Sequence, residues 1–504
     1  MKILFCFILF LIGGHCANIL IVYETARRSH QIWIGELAEA LIEKGHNVTM
    51  GGSFSRAIDP SNQYHPITFE GIFLTHYKIN KTRHLQASVL ENLYLNYEYN
   101  YAICNRTYQS KGFNFLWNYP ENFKFDLILM DLTFGPCLYP LSQKFGSPTV
   151  GFTPSGLSPY LLEAFGNNHA IFELHMDQSF FSRLTNFLLT KFEIFFKKTW
   201  ERTTLEYLAS NALNATFDFK KLENSISYLL VNEHPLLNIP RPLAPNIIPV
   251  GGLHIKKTEP LPGILGSIIE NAHQGLIFFS LGTDIQQNIF SKETKKAFAK
   301  AFMRLHQKTV IWKDNADEHP YGEGVSNILM HKWMPQGDLL GHRHAVLLIT
   351  TGGSMSVQEA IFQGVPVVGI PIYGEQHGNV QFIVDNKLGL KLDYDNLTEE
   401  NIFETLDRVL KNPIYKENME ALSRKFRDQP QNPLQKALYW IEYSLRHNST
   451  NFLNPRSRYT CPWIDHPADV QLFLFFVFLL SLTIIVLRIL WCNNGSRNDK
   501  KKKE

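Results

Sequence analysis

Cysteine and charge are both scarce in this chain. Six of its 504 residues are cysteines. Two lie in an apolar segment at the start and one in a polar tail at the end, which leaves three in the main body: Cys104, Cys137 and Cys461. An odd count excludes a complete disulfide framework, and the spacing shows no metal-ligand pattern. The cysteines therefore predict no metal site and leave their pairing open.

Charged residues make up only 19% of the chain, and 49 basic residues nearly balance 46 acidic ones. The net charge of +3 gives no support for nucleic acid as a partner. Hydrophobic residues make up 45%, so the chain can bury the cores of two or three domains of ~100–200 residues. Much of the basic excess lies in the last few residues, which is typical of a membrane anchor.

Long apolar runs occur only near the two ends of the chain. Residues 1–17 are typical of a secretory signal peptide, with Lys2, an apolar run Ile3–Ile12 and the small residues Gly14 and Ala17 near a cleavage point. The alternative is a buried first strand, but Ile19–Tyr23 follows at once and is a better strand. The sequence therefore predicts entry into the secretory pathway.

The second apolar run, Val470–Trp491, is long enough to cross a bilayer of ~30 Å as a helix. Basic residues follow it, and positive charge on the cytosolic side predicts a single-pass type I orientation with a luminal body. The last residues, Lys501-Lys502-Lys503-Glu504, resemble a dilysine retrieval signal of the endoplasmic reticulum. A plain stop-transfer cluster is the alternative. Glycosylation sequons on the luminal side begin at Asn47, Asn80, Asn105, Asn214, Asn396 and Asn448.

Strands and helices alternate along the body, which predicts an α/β fold with parallel sheets covered on both faces. In the first unit, apolar residues recur at helical spacing from Ile34 to Ile42, and Gly45 ends that helix. A proline-rich linker, residues 234–249, separates two halves. We expect a signal peptide at 1–17, domains at 18–249 and 250–447, a juxtamembrane segment at 448–469, a transmembrane helix at 470–491 and a basic tail at 492–504.

Residues 172–200 differ from the rest because they are rich in Phe and Leu with interspersed Lys and Arg. An amphipathic stretch of this kind could lie on a membrane surface or form the wall of an apolar pocket. A buried helical hairpin explains the composition equally well.

Residues 333–376 carry the most informative pattern. An apolar run predicts a buried strand at Ala345–Ile349, and the turn Thr350-Thr351-Gly352-Gly353-Ser354 follows it. A helix through Glu359 and a second strand, Pro366–Ile370, complete the unit. Glycines allow close approach of the backbone to a ligand, and the first amides of a helix lack internal partners. This arrangement holds a phosphorylated ligand on a helix N-terminus, although the glycines could also serve packing alone.

Polar and aromatic residues around this unit suit the other parts of a nucleotide-sugar. Trp333 offers a face on which a base can stack, and Gln336 could bond the base edge. Glu375 and Gln376, after the second strand, can bond sugar hydroxyls. The sequence therefore predicts a site for a sugar nucleotide.

This segment resembles the signature of the UDP-glycosyltransferases, the family that holds the animal UDP-glucuronosyltransferases. The matching parts are the Thr-x-Gly-Gly turn at 350–353, Glu359, Gly364-Val365-Pro366 and Glu375-Gln376. The sequence Gln358-Glu359-Ala360 is similar to the same stretch in arthropod members of the family. The resemblance covers nearly the whole chain and implies two facing Rossmann-like domains, the GT-B fold. It also implies phosphate contacts from a facing loop that holds Ser280, Gly282 and Thr283.

One position departs from the family pattern, because Thr351 replaces the family histidine of the turn. Threonine keeps a hydroxyl donor but loses a group that can carry charge near neutral pH. The amides of Gly352, Gly353 and Ser354 are expected to cover the loss in part. We therefore expect weaker donor binding or slower turnover, and a non-catalytic UDP-sugar-binding relative is an alternative.

The family's catalytic pair matches His30, within Ser29-His30, and Asp131, within the Phe-Asp-x-x-x-x-Asp stretch at 125–131. A histidine with an aspartate partner makes a general base. The resemblance implies an inverting transfer of glucose or glucuronate from a UDP-sugar to a small lipophilic acceptor, without a metal. A lipid galactosyltransferase of the same fold is a further alternative, and the sequence is compatible with a homo-oligomer.

Overall fold

The computed structural model describes residues 16–53, 62–78, 83–167, 179–237, 241–282, 289–314, 327–447, 451–459 and 468–501. Several predictions fall outside these ranges and are not described further. They concern the signal peptide up to residue 15, the sequons at Asn80 and Asn448, Cys461, Thr283 and the last three residues.

The first half of the chain forms a seven-stranded parallel sheet with strand order β3-β2-β1-β4-β5-β6-β7. Its central strands are buried on both faces and read as continuous apolar runs, as expected for a parallel sheet covered by helices. The strands are β1 Asn18–Val22, β2 Asn47–Gly52, β3 Tyr64–Thr68, β4 Leu127–Asp131, β5 Thr149–Thr153, β6 Ile226–Val231 and β7 Ile247–Pro249.

Helices connect these strands and cover the sheet. The predicted apolar face of the first helix, from Ile34 to Ile42, is buried, and Gly45 follows it with φ of +88°. The helices are α1 Arg28–Glu43, α2 Ile72–Lys78, α3 Arg83–Gln86, α4 Val89–Gln109, α5 Lys111–Trp117, α6 Tyr139–Phe145, α7 Pro159–Ala164, α8 Phe180–Phe196, α9 Arg202–Leu213 and α10 Phe219–Ser225.

The helical hairpin considered for residues 172–200 does not form in the described part of that segment. Helix α8 continues through a π-helical turn, Lys197–Glu201, directly into α9. Large apolar side chains on this run, including Phe181, Phe187 and Trp200, are exposed. The alternative of a buried hairpin is therefore wrong for the described residues, and the other alternative, an amphipathic stretch, fits the helix with its exposed apolar side.

The second half forms a six-stranded parallel sheet with strand order β10-β9-β8-β11-β12-β13. Its strands are β8 Leu276–Ser280, β9 Thr309–Lys313, β10 Ile328–His331, β11 Ala345–Thr350, β12 Val367–Gly369 and β13 Gly389–Lys391. Its helices are α11 Gly263–Glu270, α12 Lys292–Arg304, α13 Gln336–Gly341, α14 Ser354–Gln363, α15 Glu375–Asp385, α16 Glu399–Lys411, α17 Pro413–Arg427 and α18 Pro433–His447. The predicted α/β class with two parallel sheets is confirmed.

The last helix of the body, α18, returns to the first sheet. Ala437, Leu438 and Ile441 are buried in the same cluster as the first strands and α1. The Ser444 hydroxyl lies 3.1 Å from the hydroxyl of Tyr228 on β6. This crossing ties the two halves together independently of the linker.

Two further features bear on the environment of the protein. Cys104 on α4 and Cys137 after β4 form a disulfide, with Cα atoms 5.5 Å apart, which resolves the pairing that the sequence left open. Near the end of the chain, α19 spans Ala468–Lys501. Within it, Val470–Arg488 is the one described segment long and apolar enough to cross a membrane.

Candidate functional site

A cleft of 2390 Å³ lies between the carboxyl ends of the two sheets, where ligands of open α/β sheets bind. Most of the predicted site residues line it: His30, Gly282, Trp333, Gln336, Thr351, Gly353, Ser354, Glu359, Glu375 and Gln376. Asp131, Ser280 and Gly352 are not among the residues that line it. The fold therefore gathers residues from both halves of the chain around one space.

His30 and Asp131 meet because β1 and β4 are neighbours in the sheet. His30 stands in the first turn of α1, after β1, and Asp131 ends β4. The Nδ1 atom of His30 lies 3.6 Å from Oδ2 of Asp131, and both side chains are buried. Catalytic hydrogen bonds are often long in ligand-free structures. The predicted pair therefore has the geometry of a base and its orienting carboxylate.

Neighbouring residues fix the orientation of this pair. The Thr133 amide and hydroxyl donate to Oδ1 of Asp131 at 2.9 and 2.5 Å, which leaves Oδ2 for His30. On its other edge, His30 Nε2 lies 3.2 Å from the Ser155 hydroxyl, and the ring stacks on Phe134. The outer nitrogen of His30 therefore points toward the cleft.

A third carboxyl group lies close to this pair. Glu24 follows β1 and is buried, and burial together with the charge of Asp131 raises its pKa well above the usual value. A neutral Glu24 lets the buried negative charge rest on Asp131, where it can stabilise an imidazolium. A glutamate just after a buried strand is the only sequence signal for this residue.

The two glycines of the turn have different roles. Gly352 has φ of +87°, and a Cβ built on it would lie 2.5 Å from Cγ2 of Val380 on α15. Gly352 is therefore required by backbone conformation and packing, which corrects the expectation that both glycines admit a ligand. A Cβ on Gly353 would meet no described atom within 4 Å, so that side is open toward the cleft.

The N-terminus of α14 follows this turn and is held by α15. The Asn379 side chain donates to the Gly352 carbonyl at 2.9 Å and to the Ser354 hydroxyl at 3.3 Å. Asn379 was not predicted, because its distance along the chain hides its contact with the turn. Its two hydrogen bonds hold the turn and the first residue of α14 against α15.

Glu375 bridges the two halves at this point. Its Oε1 accepts from the Ser354 amide at 3.4 Å, and its Oε2 accepts from the Gly156 amide at 3.3 Å. A carboxylate oxygen thus sits at the positive end of α14, where an anion is favoured. This contact shows that the α14 N-terminus accepts an anionic oxygen.

Two cations flank Trp333, which is 41% exposed. Arg28 lies 4.6 Å from the ring centroid and Lys313 lies 5.0 Å from it. Burial and the charge of Arg28 lower the pKa of Lys313 to about 8. The ring therefore combines a stacking surface with positive charge, and neither cation was predicted from the sequence.

Glu359 also lines the cleft, and 15% of its side chain is exposed. Gln336 donates to it at 2.6 Å, and His254 Nε2 lies 3.6 Å from it. Burial raises the pKa of Glu359 to about 7 and lowers that of His254 to about 4. Gln336 also bonds Ser356, so its amide nitrogen is engaged within the protein instead of facing a base edge as expected.

Ser280 and Gln376, which were predicted to contact the donor, form hydrogen bonds within the protein in this structure. Ser280 is fully buried, and its hydroxyl accepts from the Gly282 amide at 3.3 Å. The Gln376 side-chain oxygen accepts from the amides of Ile372 and Tyr373. Ser280 therefore stabilises the turn that follows β8, and the Gln376 side-chain oxygen holds the loop that follows β12.

Comparison with known sequences bears on these features. A profile of the family described as "UDP-glucoronosyl and UDP-glucosyl transferase" matches residues 19–503. The UDP-glycosyltransferase UGT5 of Dactylopius coccus is 31% identical, over 93% of this chain and 90% of the relative. The UDP-glucuronosyltransferase 2B15 of Homo sapiens is 28% identical, over 97% of this chain and 96% of the relative.

Solved structures share the fold. The glycotransferase of kitacinnamycin matches with a TM-score of 0.58 at 16% identity, covering 85% of this chain and 99% of that one. The calicheamicin glycosyltransferase CalG4 matches with a TM-score of 0.58 at 18% identity, covering 86% and 99%. Both likenesses support the arrangement of two Rossmann-like halves around a cleft.

Proposed function

The chain belongs to the UDP-glucoronosyl and UDP-glucosyl transferase family and is a UDP-glycosyltransferase, and we propose that it transfers glucose or glucuronate, with inversion, to a hydroxyl of small lipophilic molecules. One observation carries the proposal. His30, backed by the buried Asp131, lines the cleft from the first sheet, and the turn Gly353-Ser354 at the N-terminus of α14 lines it from the second. A base and an anion site that face one cleft suit group transfer between two bound substrates.

In the proposed reaction, Nε2 of His30 takes the proton from the acceptor hydroxyl while Asp131 stabilises the imidazolium. The oxygen attacks the anomeric carbon from the face opposite the nucleotide. The bond from that carbon to the diphosphate oxygen breaks, and UDP leaves with the electron pair. The α14 amides stabilise the growing charge on the diphosphate, so the scheme needs no metal ion.

Binding of the donor would displace Glu375 from the Ser354 amide. We propose that the diphosphate takes the Ser354 amide, and that Glu375 and Gln376 then bond sugar hydroxyls. The base stacks on Trp333, and the ribose hydroxyls donate to Glu359. Thr351, which is buried at the cleft wall, supplies only a neutral contact.

The identity of the sugar depends on charge at the sugar end of the cleft. A glucuronate carboxylate needs a cation there. The Arg27 guanidinium lies 4.9 Å from the Phe134 ring centroid and 6.0 Å from that of Tyr373, two residues before Glu375. Arg27 is thus one cation that could pair with a uronate, whereas glucose needs none.

We further propose that the enzyme is a type I protein of the endoplasmic reticulum membrane with its two sheets in the lumen. The Val470–Arg488 helix supports a membrane anchor, and the basic tail supports a cytosolic end. The Cys104–Cys137 disulfide supports an oxidising compartment for the body.

The test of this function uses detergent-solubilised full-length enzyme with simple phenols, and UDP-glucose and UDP-glucuronate in parallel. We expect transfer from at least one donor, and Arg27→Met should lower kcat/KM for UDP-glucuronate alone. Binding of UDP without transfer to any phenol would contradict the proposal and favour a non-catalytic relative. Transfer of galactose to ceramide alone would favour the lipid galactosyltransferase.

The raised pKa of Glu359 predicts a pH-dependent KM for the donor. Below pH 7 the free enzyme holds Glu359 protonated, and a bound ribose prefers the carboxylate, so binding must release a proton. We expect KM for UDP-glucose to fall about tenfold from pH 6 to pH 8. Glu359→Gln should show a flat KM over this range. A slope that survives in Glu359→Gln would assign the titration to another group.

A further inference from the structure

A cluster of polar groups, most of them buried, lies in the wall of the cleft on the side of the first sheet. Asn100 comes from α4, Glu193 from α8, and Lys197 and Glu201 from the π-helical turn. Asn100, Glu193 and Lys197 line the cleft, and Glu201 lies behind them. π-helical turns often occur at functional sites, and this cluster has no part in the reaction described above.

Asn100 has an unusual combination of burial and unused bonding capacity. Its side chain is only 6% exposed, and its Nδ2 donates to Oε1 of Glu201 at 2.7 Å. The amide nitrogen therefore faces Glu201, and Oδ1 lies on the other side of the amide group. Oδ1 is buried without a hydrogen-bond partner among the described residues. A buried carbonyl in a cleft wall is satisfied when a bound molecule supplies a donor.

The cluster lies one aromatic ring away from the catalytic histidine. Phe134 stacks on His30 with ring centroids 6.0 Å apart. Its ring centroid also lies 5.4 Å from that of Tyr99, the residue before Asn100. A Cβ built on Gly135 would lie 3.4 Å from Oε1 of Glu201. An acceptor that presents one hydroxyl to His30 can therefore present a second, distant group to Asn100.

The charges of the cluster indicate that this second group is neutral. Lys197 lies 3.4 Å from Glu193 and 5.8 Å from the Tyr160 ring centroid, so its charge is already balanced. Burial alone would lower the pKa of Lys197, but Glu193 and Glu201 outweigh it and raise the pKa. Burial raises the pKa of Glu201. An anionic group on the acceptor would meet the Glu193 carboxylate, whereas a neutral hydroxyl can donate to Asn100.

We propose that Oδ1 of Asn100 accepts a hydrogen bond from a second, neutral hydroxyl of the acceptor, so that the enzyme selects elongated aromatic diols over the matching mono-alcohols. This subsite rests on the proposed transferase function and specifies its acceptor class. Asn100 acts in specificity because it holds the end of the acceptor that does not react.

The test compares 4,4′-dihydroxybiphenyl with 4-hydroxybiphenyl, using the donor that wild-type enzyme accepts. After correction for its two equivalent hydroxyls, the diol should have about tenfold higher kcat/KM. Asn100→Leu removes Oδ1 at similar volume and should bring the corrected ratio close to one. The matched control is Asn96→Leu, one turn earlier on the same helix and exposed at the cleft, which should keep the ratio.

Both acceptors are assayed on one enzyme preparation, so the ratio is independent of the folded fraction. If Asn100→Leu yields no folded protein, Asn100→Ala removes the same oxygen without added bulk and should give the same loss. A corrected ratio near one in wild type, or a ratio unchanged in both Asn100 variants, would overturn the subsite while leaving the transferase function in place. If wild-type enzyme transferred no sugar to these two acceptors or to any other phenol, the proposed function itself would be overturned.

Discussion

Replacement of His30 by alanine is expected to lower kcat for sugar transfer by roughly 10³-fold, within the 10²–10⁴ range typical of general base catalysis, while UDP binding stays within about twofold. The imidazole is the group positioned to take the acceptor proton, and Oδ2 of Asp131 lies 3.6 Å from its Nδ1 atom. The proposed UDP contacts lie on the opposite sheet. The loss should therefore appear in kcat and leave the dissociation constant of UDP nearly unchanged.

His84 provides a matched control for this variant. It lines the same cleft, but its Nδ1 lies 2.6 Å from the side-chain oxygen of Asn92, and it has no carboxylate partner among the described residues. His84→Ala should keep kcat within a few-fold of wild type. Steady-state kinetics and UDP titration on both variants check the assignment. Normal turnover in His30→Ala would show that another group is the base.

Alanine at each glycine of the turn should separate folding from binding. In Gly352→Ala, the new Cβ meets Val380, and φ of +87° is strained for any L side chain. We expect a loss of about 1–3 kcal/mol in the free energy of unfolding together with weakened UDP binding. In Gly353→Ala, φ of −59° is ordinary and the Cβ enters open space. Stability should stay within about 0.5 kcal/mol, while UDP affinity falls about tenfold because the methyl group occupies the ligand's position.

Chemical unfolding and UDP calorimetry on the two variants measure these effects. The double variant Gly352→Ala with Val380→Ala supplies a control, because it removes the steric part of the defect but leaves the backbone strain. It should be less destabilised than the sum of the two single variants. Equal stability of Gly352→Ala and Gly353→Ala would contradict the assignment of Gly352 to packing.

The sheets and the core of the site could be predicted because their signals are local. Apolar runs of strand length, glycines after strands and the helical spacing from Ile34 to Ile42 all act over a few residues, and each led to an element that the structure contains. His30 and the Gly353-Ser354 turn follow strand ends. The topology of a parallel sheet places strand ends at one edge, so their presence in one cleft was also predictable.

The remaining site residues depend on contacts that no short stretch of sequence reveals. Ser155, Asn379 and Lys313 reach the site from segments without any motif. Glycine is needed at position 352 because a Cβ there would clash with Val380 on α15, the helix that follows α14 and β12. Ser280 was expected to contact the phosphates, whereas in this structure it is fully buried and its hydroxyl accepts from the Gly282 amide. Whether a side chain at a strand end is buried depends on the fold of the turn that follows, which the sequence does not give.

The buried hairpin, one of two alternatives for residues 172–200, failed for a different reason. A hairpin needs a turn, and residues 180–213 contain neither glycine nor proline. The aromatic content suggested burial, yet the side chains are exposed on a continuous helix. In a chain with a membrane-length helix, apolar composition alone does not predict burial inside the protein.

The position of the diphosphate is the claim on which the proposed mechanism depends, and a crystal structure of the two-sheet body with bound UDP tests it most directly. The account predicts diphosphate oxygens at about 2.7–3.2 Å from the amides of Gly353 and Ser354, with Glu375 displaced from Ser354 and the base on Trp333. It also predicts that Nε2 of His30 faces the open side of that diphosphate. UDP bound away from the α14 N-terminus, or a His30 ring turned out of the cleft, would contradict it.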